Sequence, residues 1–136
     1  MFTFFAQVEA WQLYPETLET LERLKRQELI VGVISNFDSR LFELLDGFGM
    51  SHFFDTIVIS TQAGAAKPEG KIFTHALGQR SLSPAQAMHV GDSYEMDIEG
   101  ARVAGLTPVL IDRETESSQT HDCLSVRNLL ELPTLL

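Results

Sequence analysis

Short apolar runs alternate along the chain with stretches whose leucines return every three or four positions. Leu18, Leu21 and Leu24 predict a helix over about residues 16–28, with Pro15 and Glu16 suited to its first turn. Ile30-Val-Gly-Val-Ile34 follows at once, a short β-branched run that reads as a strand buried on both faces. Leu41, Leu44, Leu45 and Phe48 predict a second amphipathic helix, with Gly49 where a left-handed C-terminal cap belongs. Thr56–Ile59 reads as the next buried strand. Ile72, Phe73, Ala76 and Leu77 then share one face of a third helix, with Pro68 at its first position. Ser83-Pro-Ala-Gln86 combines a capping box with proline at the first helical position, and Ala87–Val90 reads as a third strand. Ile98, Ala101 and Ala104 line a helix stopped by Gly105, Thr107–Ile111 is the last strand, and Ser125 to about Glu131 reads as a final helix. Only residues 113 to 122 read as a polar loop.

Helix and strand therefore alternate, which predicts an α/β fold of three layers around a parallel sheet with right-handed crossovers. In such sheets ligands bind outside the carboxyl ends of the strands, so the residues just after each strand carry the functional signal.

Composition narrows the partners. The chain has 136 residues, 44% of them apolar, enough for one modest core. A formal charge of -9 argues against unspecific binding to nucleic acid or anionic lipid and leaves small molecules or proteins. One cysteine, Cys123, excludes an internal disulfide and has no thiol-chemistry context, and no Cys/His cluster suits structural zinc. The opening Met1–Ala6 is apolar but lacks the basic flank of a secretory signal, and no run reaches the ~18 apolar residues of a membrane span. These features predict an intracellular, cytoplasmic protein.

Three strand ends carry polar residues with a joint use. The first leads into Ser35-Asn36, the second through Ser60–Ala66 into Lys67-Pro68, and the third into Gly91-Asp92-Ser93, with Asp97 five residues on. A serine hydroxyl and nearby backbone N–H groups can hold phosphate oxygens, and a lysine can neutralise the charge they share with a nucleophile. Mg²⁺ is usually held by one or two carboxylates with water and phosphate completing its shell, so Asp92 and Asp97 form a sensible minimum, with a sharp turn allowed at Gly91. The simpler readings are a strand-ending hydroxyl at Ser35, a turn at Gly91-Asp92-Ser93 and a helix N-terminal acid at Asp97. His89, inside an apolar strand, reads as a satisfied core histidine; Trp11, Phe53 and Phe54 read as core or cap contacts.

In this order and spacing the residues resemble the haloacid dehalogenase-like hydrolase superfamily. Val31–Asn36 is similar to its second motif, Ala66-Lys67-Pro68 to its third, and Gly91–Asp97 to its fourth, followed by a helix like Ile98–Gly105; Tyr14–Thr17 resembles the return from the family's cap. The resemblance implies a Rossmann-like core and Mg²⁺-dependent hydrolysis of small phosphorylated metabolites. Ser35, Asn36 and Lys67 would bind substrate, Ser35 and Lys67 would serve catalysis, and Asp92 and Asp97 the metal, Asp97 either directly or through water. The acidic fourth motif opposes the alternative of a dehalogenase fragment, in which no metal is used.

The family's nucleophile is the first aspartate of an Asp-x-Asp motif that ends its first, central strand, and the sequence contains no Asp-x-Asp. The expectation is thus a partial core over residues 14–136, without the central strand and most of the cap, preceded by a residual cap or connector at 1–13. A gap in mid-sheet would leave unpaired edges, predicting poor stability, self-association or pairing with another chain. Two functions compete: the C-terminal part of a phosphohydrolase with no turnover of its own, and a non-catalytic phosphate- or Mg²⁺-binding regulatory module.

Overall fold

Five parallel pairings build one sheet. The computed structural model describes residues 2–5, 16–112 and 122–135. Its strands are β1 (Phe2–Phe5), β2 (Val31–Ser35), β3 (Thr56–Ile59), β4 (Met88–Gly91), β5 (Thr107–Ile111) and β6 (Leu124–Val126), in the spatial order β3-β2-β1-β4-β5-β6. Every neighbouring pair runs parallel. The helices between them are α1 (Thr17–Arg26), α2 (Arg40–Gly47), α3 (Ser60–Ala63), α4 (Gly70–Gly78) and α5 (Gly100–Ala104).

All five residues of β2 are buried, as its unbroken apolar run requires of a strand covered on both faces. Successive side chains point to opposite faces, and the core divides accordingly. Val31 and Val33 pack with Leu21 and Leu24 of α1 and with Leu41 and Leu45 of α2. Ile34 packs on the other side with Ile72, Phe73, Ala76 and Leu77 of α4 and Ala101 of α5. The three layers expected from the periodicity are therefore present.

The centre of the sheet differs from expectation. Phe2–Phe5 lies between β2 and β4, with Phe4 opposite Val33 on one side and Val90 on the other. The gap forecast there is filled, and Phe2–Phe5 is a core strand, not a remnant of a cap. Its phenylalanines and threonine favour extended backbone, and strand pairing uses backbone groups that any such segment supplies. The absence of Asp-x-Asp is a chemical deficit, then, and not a hole in the sheet. Self-association through an open centre loses its basis, because the strands flanking that position are both paired. The remainder of the proposed connector, with Trp11, lies outside the described residues, as does the polar loop except for Asp122.

Two local expectations also change. The tail forms β6 and then a 3-10 helix at Leu129–Leu135 where one α-helix was expected. Val126 enters the sheet beside Ile111, and Leu129 and Leu132 bury themselves in the cluster that holds Leu21 and Leu24. Pro68 precedes α4 by two residues and sits in a turn closed by Glu69 N–H donating to Ala66 O at 2.8 Å, so the helix begins at Gly70. Near Ser83, Gln86 Oε1 accepts the Ser83 N–H at 3.0 Å, the reciprocal half of a capping box.

Candidate active-site half

The carboxyl ends of β2 and β4 and the loop before α4 bring the expected polar residues together. Ser35 closes β2 and is wholly buried. Asn36 follows and is tied to the loop before α4 by a reciprocal pair: Lys67 N–H donates to Asn36 Oδ1 at 2.8 Å, and Asn36 Nδ2 donates to Lys67 O at 3.1 Å. Those two bonds fix the backbone at Lys67 and commit the Asn36 amide to the protein itself.

Lys67 reaches inward from there. Its Nζ donates to Asp97 Oδ1 at 2.7 Å, and both side chains are fully shielded from solvent. The same oxygen receives His89 Nε2 at 2.9 Å, again with no exposure. Asp97 Oδ2 accepts the Ser93 N–H at 3.2 Å. A buried carboxylate is tolerated only when paired and hydrogen-bonded, and here both oxygens have donors.

A single turn of π-helix, Tyr94–Glu99, carries Asp97 to this position. Ser93 starts the turn: its hydroxyl accepts the Met96 N–H, and its carbonyl accepts the N–H groups of Asp97 and Ile98. Wide turns of this kind recur at functional sites, where they displace a side chain from the helical position it would otherwise hold. Gly91 makes the approach possible. A Cβ at Gly91 would lie 2.1 Å from Asp97 Cγ, inside any permitted contact.

The charges shape one another. Burial alone would push the Asp97 carboxyl up, but the His89 hydrogen bond and the Lys67 charge outweigh it and hold it below the ordinary carboxylate value. Burial draws the Lys67 ammonium down against the opposing pull of Asp97. It lowers the His89 imidazole too, again against Asp97. Asp92, exposed at the end of β4, has its carboxyl raised by partial desolvation and then by the negative charge of Asp97.

That last pair bears on Mg²⁺. Asp92 is an accessible carboxylate beside a second, buried negative charge, a setting that a cation would relieve. Asp97, by contrast, already spends both oxygens on Lys67, His89 and Ser93. Among the described residues no group of three His, Cys, Asp or Glu side chains gathers as a cage. The arrangement fits a hard cation held by Asp92 together with water and phosphate, which meets the lower bound of protein ligands for Mg²⁺.

Of the residues expected from sequence, Lys67, Asn36, Asp92 and Asp97 come to one edge, with Ser35 just beneath it. His89 was expected only as a satisfied core residue. It is satisfied, but its partner is the aspartate of the site. Strand alternation carried that signal: His89 and Gly91 are two apart and so face the same side of β4, the side Asp97 approaches.

A family model for haloacid dehalogenase-like hydrolases matches residues 2–105. The chain belongs to the haloacid dehalogenase-like hydrolases. Among its curated relatives, haloacid dehalogenase-like hydrolase domain-containing protein 3 of Bos taurus is 37% identical over 79% of this chain and 43% of its own length. Phosphoserine phosphatase of Thermus thermophilus is 33% identical over 95% of this chain and 53% of its own. The chain thus spans about half the length of the curated relatives it matches. A solved phosphatase of the family from Thermococcus onnurineus superposes with a TM-score of 0.84 at 30% identity, covering 91% of this chain and 58% of that one. This haloacid dehalogenase-like chain therefore shares fold and family with phosphatases, and its Rossmann-like parallel sheet is the family's own.

Proposed function

We propose that this chain is the C-terminal, phosphate- and Mg²⁺-holding part of a phosphomonoester hydrolase, with no turnover by itself. The observation that carries the reading is the buried Lys67–Asp97 pair, set 2.7 Å apart at the strand edge beside the exposed carboxylate of Asp92. Its likeness to phosphoserine phosphatase and to a solved phosphatase of the family supports small phosphorylated metabolites as the substrate class.

Each side chain has a task in this reading. Asp92 binds Mg²⁺ directly, and Asp97 holds Lys67 in place and adds negative charge behind the ion. When bound, Mg²⁺ neutralises the phosphoryl oxygens and orients them. Lys67 shares the charge on the phosphate, the Ser35 hydroxyl serves its non-transferred oxygens, and Asn36 acts through the two bonds that fix the Lys67 backbone. Nothing in this set attacks phosphorus.

Enzymes accelerate phosphomonoester hydrolysis by as much as ~10²¹, and a set of positioning charges without a nucleophile leaves no covalent path to that rate. The sequence contains no Asp-x-Asp to supply one. The pure 136-residue chain, given Mg²⁺ and p-nitrophenyl phosphate, should release no more product than its Asp92→Ala variant. Release that depends on Asp92 would overturn the claim that turnover is absent.

A regulatory, non-catalytic module is the second reading, favoured by an intact Lys67–Asp97–His89 network in a sequence without the nucleophile motif. It predicts a defined complex with another protein that survives addition of phosphate. Size-exclusion chromatography with light scattering on the chain purified from its native cells would reveal that complex.

A further inference from the structure

Asp97 Oδ1 is a shared acceptor, taking both Lys67 Nζ and His89 Nε2. Lys67 comes from the loop before α4, whereas His89 comes from β4, so one oxygen joins two separate elements. A carboxylate only accepts. The 2.9 Å contact therefore requires the proton of His89 to sit on Nε2. Around the imidazole the packing leaves little freedom: Phe73 meets it edge-on, with ring centroids 5.0 Å apart and planes at 88°. On the same face of β4, the missing Cβ of Gly91 admits Asp97.

We propose that His89 is a positioning residue of the half-site, donating from Nε2 to lock the Asp97 carboxylate and, through it, the direction of the Lys67 ammonium. With the donor in place, Oδ1 faces His89 and Lys67 while Oδ2 faces the Ser93 N–H beside Asp92. Without it, Oδ1 keeps one donor on a long, flexible stem, and the carboxylate can rotate about its Cβ–Cγ bond. Residues that orient a site's charged groups typically change affinity ten- to a hundredfold when removed. This inference deepens the half-site reading and takes its functional meaning from it.

Long-range ¹H–¹⁵N spectra of the labelled full chain read the His89 ring directly, and the ¹⁵Nζ signal of Lys67 reports whether its ammonium stays held. His89→Leu keeps the bulk without the donor, and His89→Gln restores a side-chain N–H. We expect Nε2 of the wild type to carry a proton. The Lys67 signal should shift or broaden in His89→Leu and return toward wild type in His89→Gln. In the presence of Mg²⁺, inorganic phosphate should bind His89→Leu roughly tenfold or more weakly than wild type.

An unprotonated Nε2 overturns the proposal, and so does a folded His89→Leu protein with an unchanged Lys67 signal. Should His89→Leu fail to fold, the wild-type ring spectrum still decides. Failure of the wild type to bind phosphate would strike the half-site reading instead, and the two nitrogen signals would still judge the role of His89.

Discussion

At Gly91 the absence of a side chain is a requirement of the site. A methyl group there would have to displace the carboxylate of Asp97, since its carbon would fall 2.1 Å from Cγ. Gly91→Ala should therefore cost about 1–3 kcal/mol of stability, as overpacked cores do, and should disturb the Lys67–Asp97 pair. Urea unfolding measures the first effect and the Lys67 ¹⁵Nζ signal the second. Asp97→Ala should be costlier, about 3–5 kcal/mol, because it leaves Lys67 buried without its counter-charge; Asp97→Ala with Lys67→Met should recover much of that loss. Unfolding of the single and double variants side by side tests it. The convergence of Ser35, Asn36, Lys67, Asp92 and Asp97 at one sheet edge was legible because they stand in a fixed order at or just after strand ends. His89 was not, because an apolar strand disguises a polar residue whose partner lies eight positions away.

At the scale of elements, one carboxylate ties α1 to the start of β3. Asp55 Oδ2 accepts Lys25 Nζ at 2.6 Å and the Val31 N–H at 2.9 Å. Burial would push the Asp55 carboxyl up, but the bonds from Lys25 and Val31 and the charges of Lys25 and Arg80 bring it below its ordinary 3.8. A carboxyl with a depressed folded-state value contributes its stability above the unfolded value and loses it as pH falls through the folded one. Asp55→Asn should thus be less stable than wild type at neutral pH, by no more than about 1 kcal/mol given the partial exposure of the pair. The difference should shrink to nothing as pH falls below 3.8. Thermal melts across that range check the sign. Helices α1, α2, α4 and α5 were legible from leucine and alanine spacing, yet the tail was not. Leu124, Val126, Leu129 and Leu132 fit either period, and only the open edge of β5 selects a strand for the first two.

Across the whole molecule, the sheet depends on a central strand that no pattern in the sequence announces. The order β3-β2-β1-β4-β5-β6 puts Phe2–Phe5 at its centre, where it pairs on both sides. Removing residues 1–5 should expose two unpaired edges in mid-sheet and give a chain that aggregates or melts without cooperativity, whereas the full chain melts cooperatively. Light scattering during a thermal melt distinguishes the two. The parallel α/β class was legible because crossover geometry follows from alternating periods; the occupant of the centre was not, because backbone pairing sets few demands on side chains. The chemistry of that position is a separate matter. A strand there completes the sheet, but the sequence contains no Asp-x-Asp to arm it.

We propose that this haloacid dehalogenase-like chain holds phosphate and Mg²⁺ without the means to break a phosphoester. Titrating inorganic phosphate into the labelled protein with Mg²⁺ present, and following the backbone amides, decides it. Saturable shifts at Ser35, Asn36, Asp92 and Ser93, lost in Asp92→Ala, are the predicted result; unchanged amides at those four residues up to millimolar phosphate would contradict it.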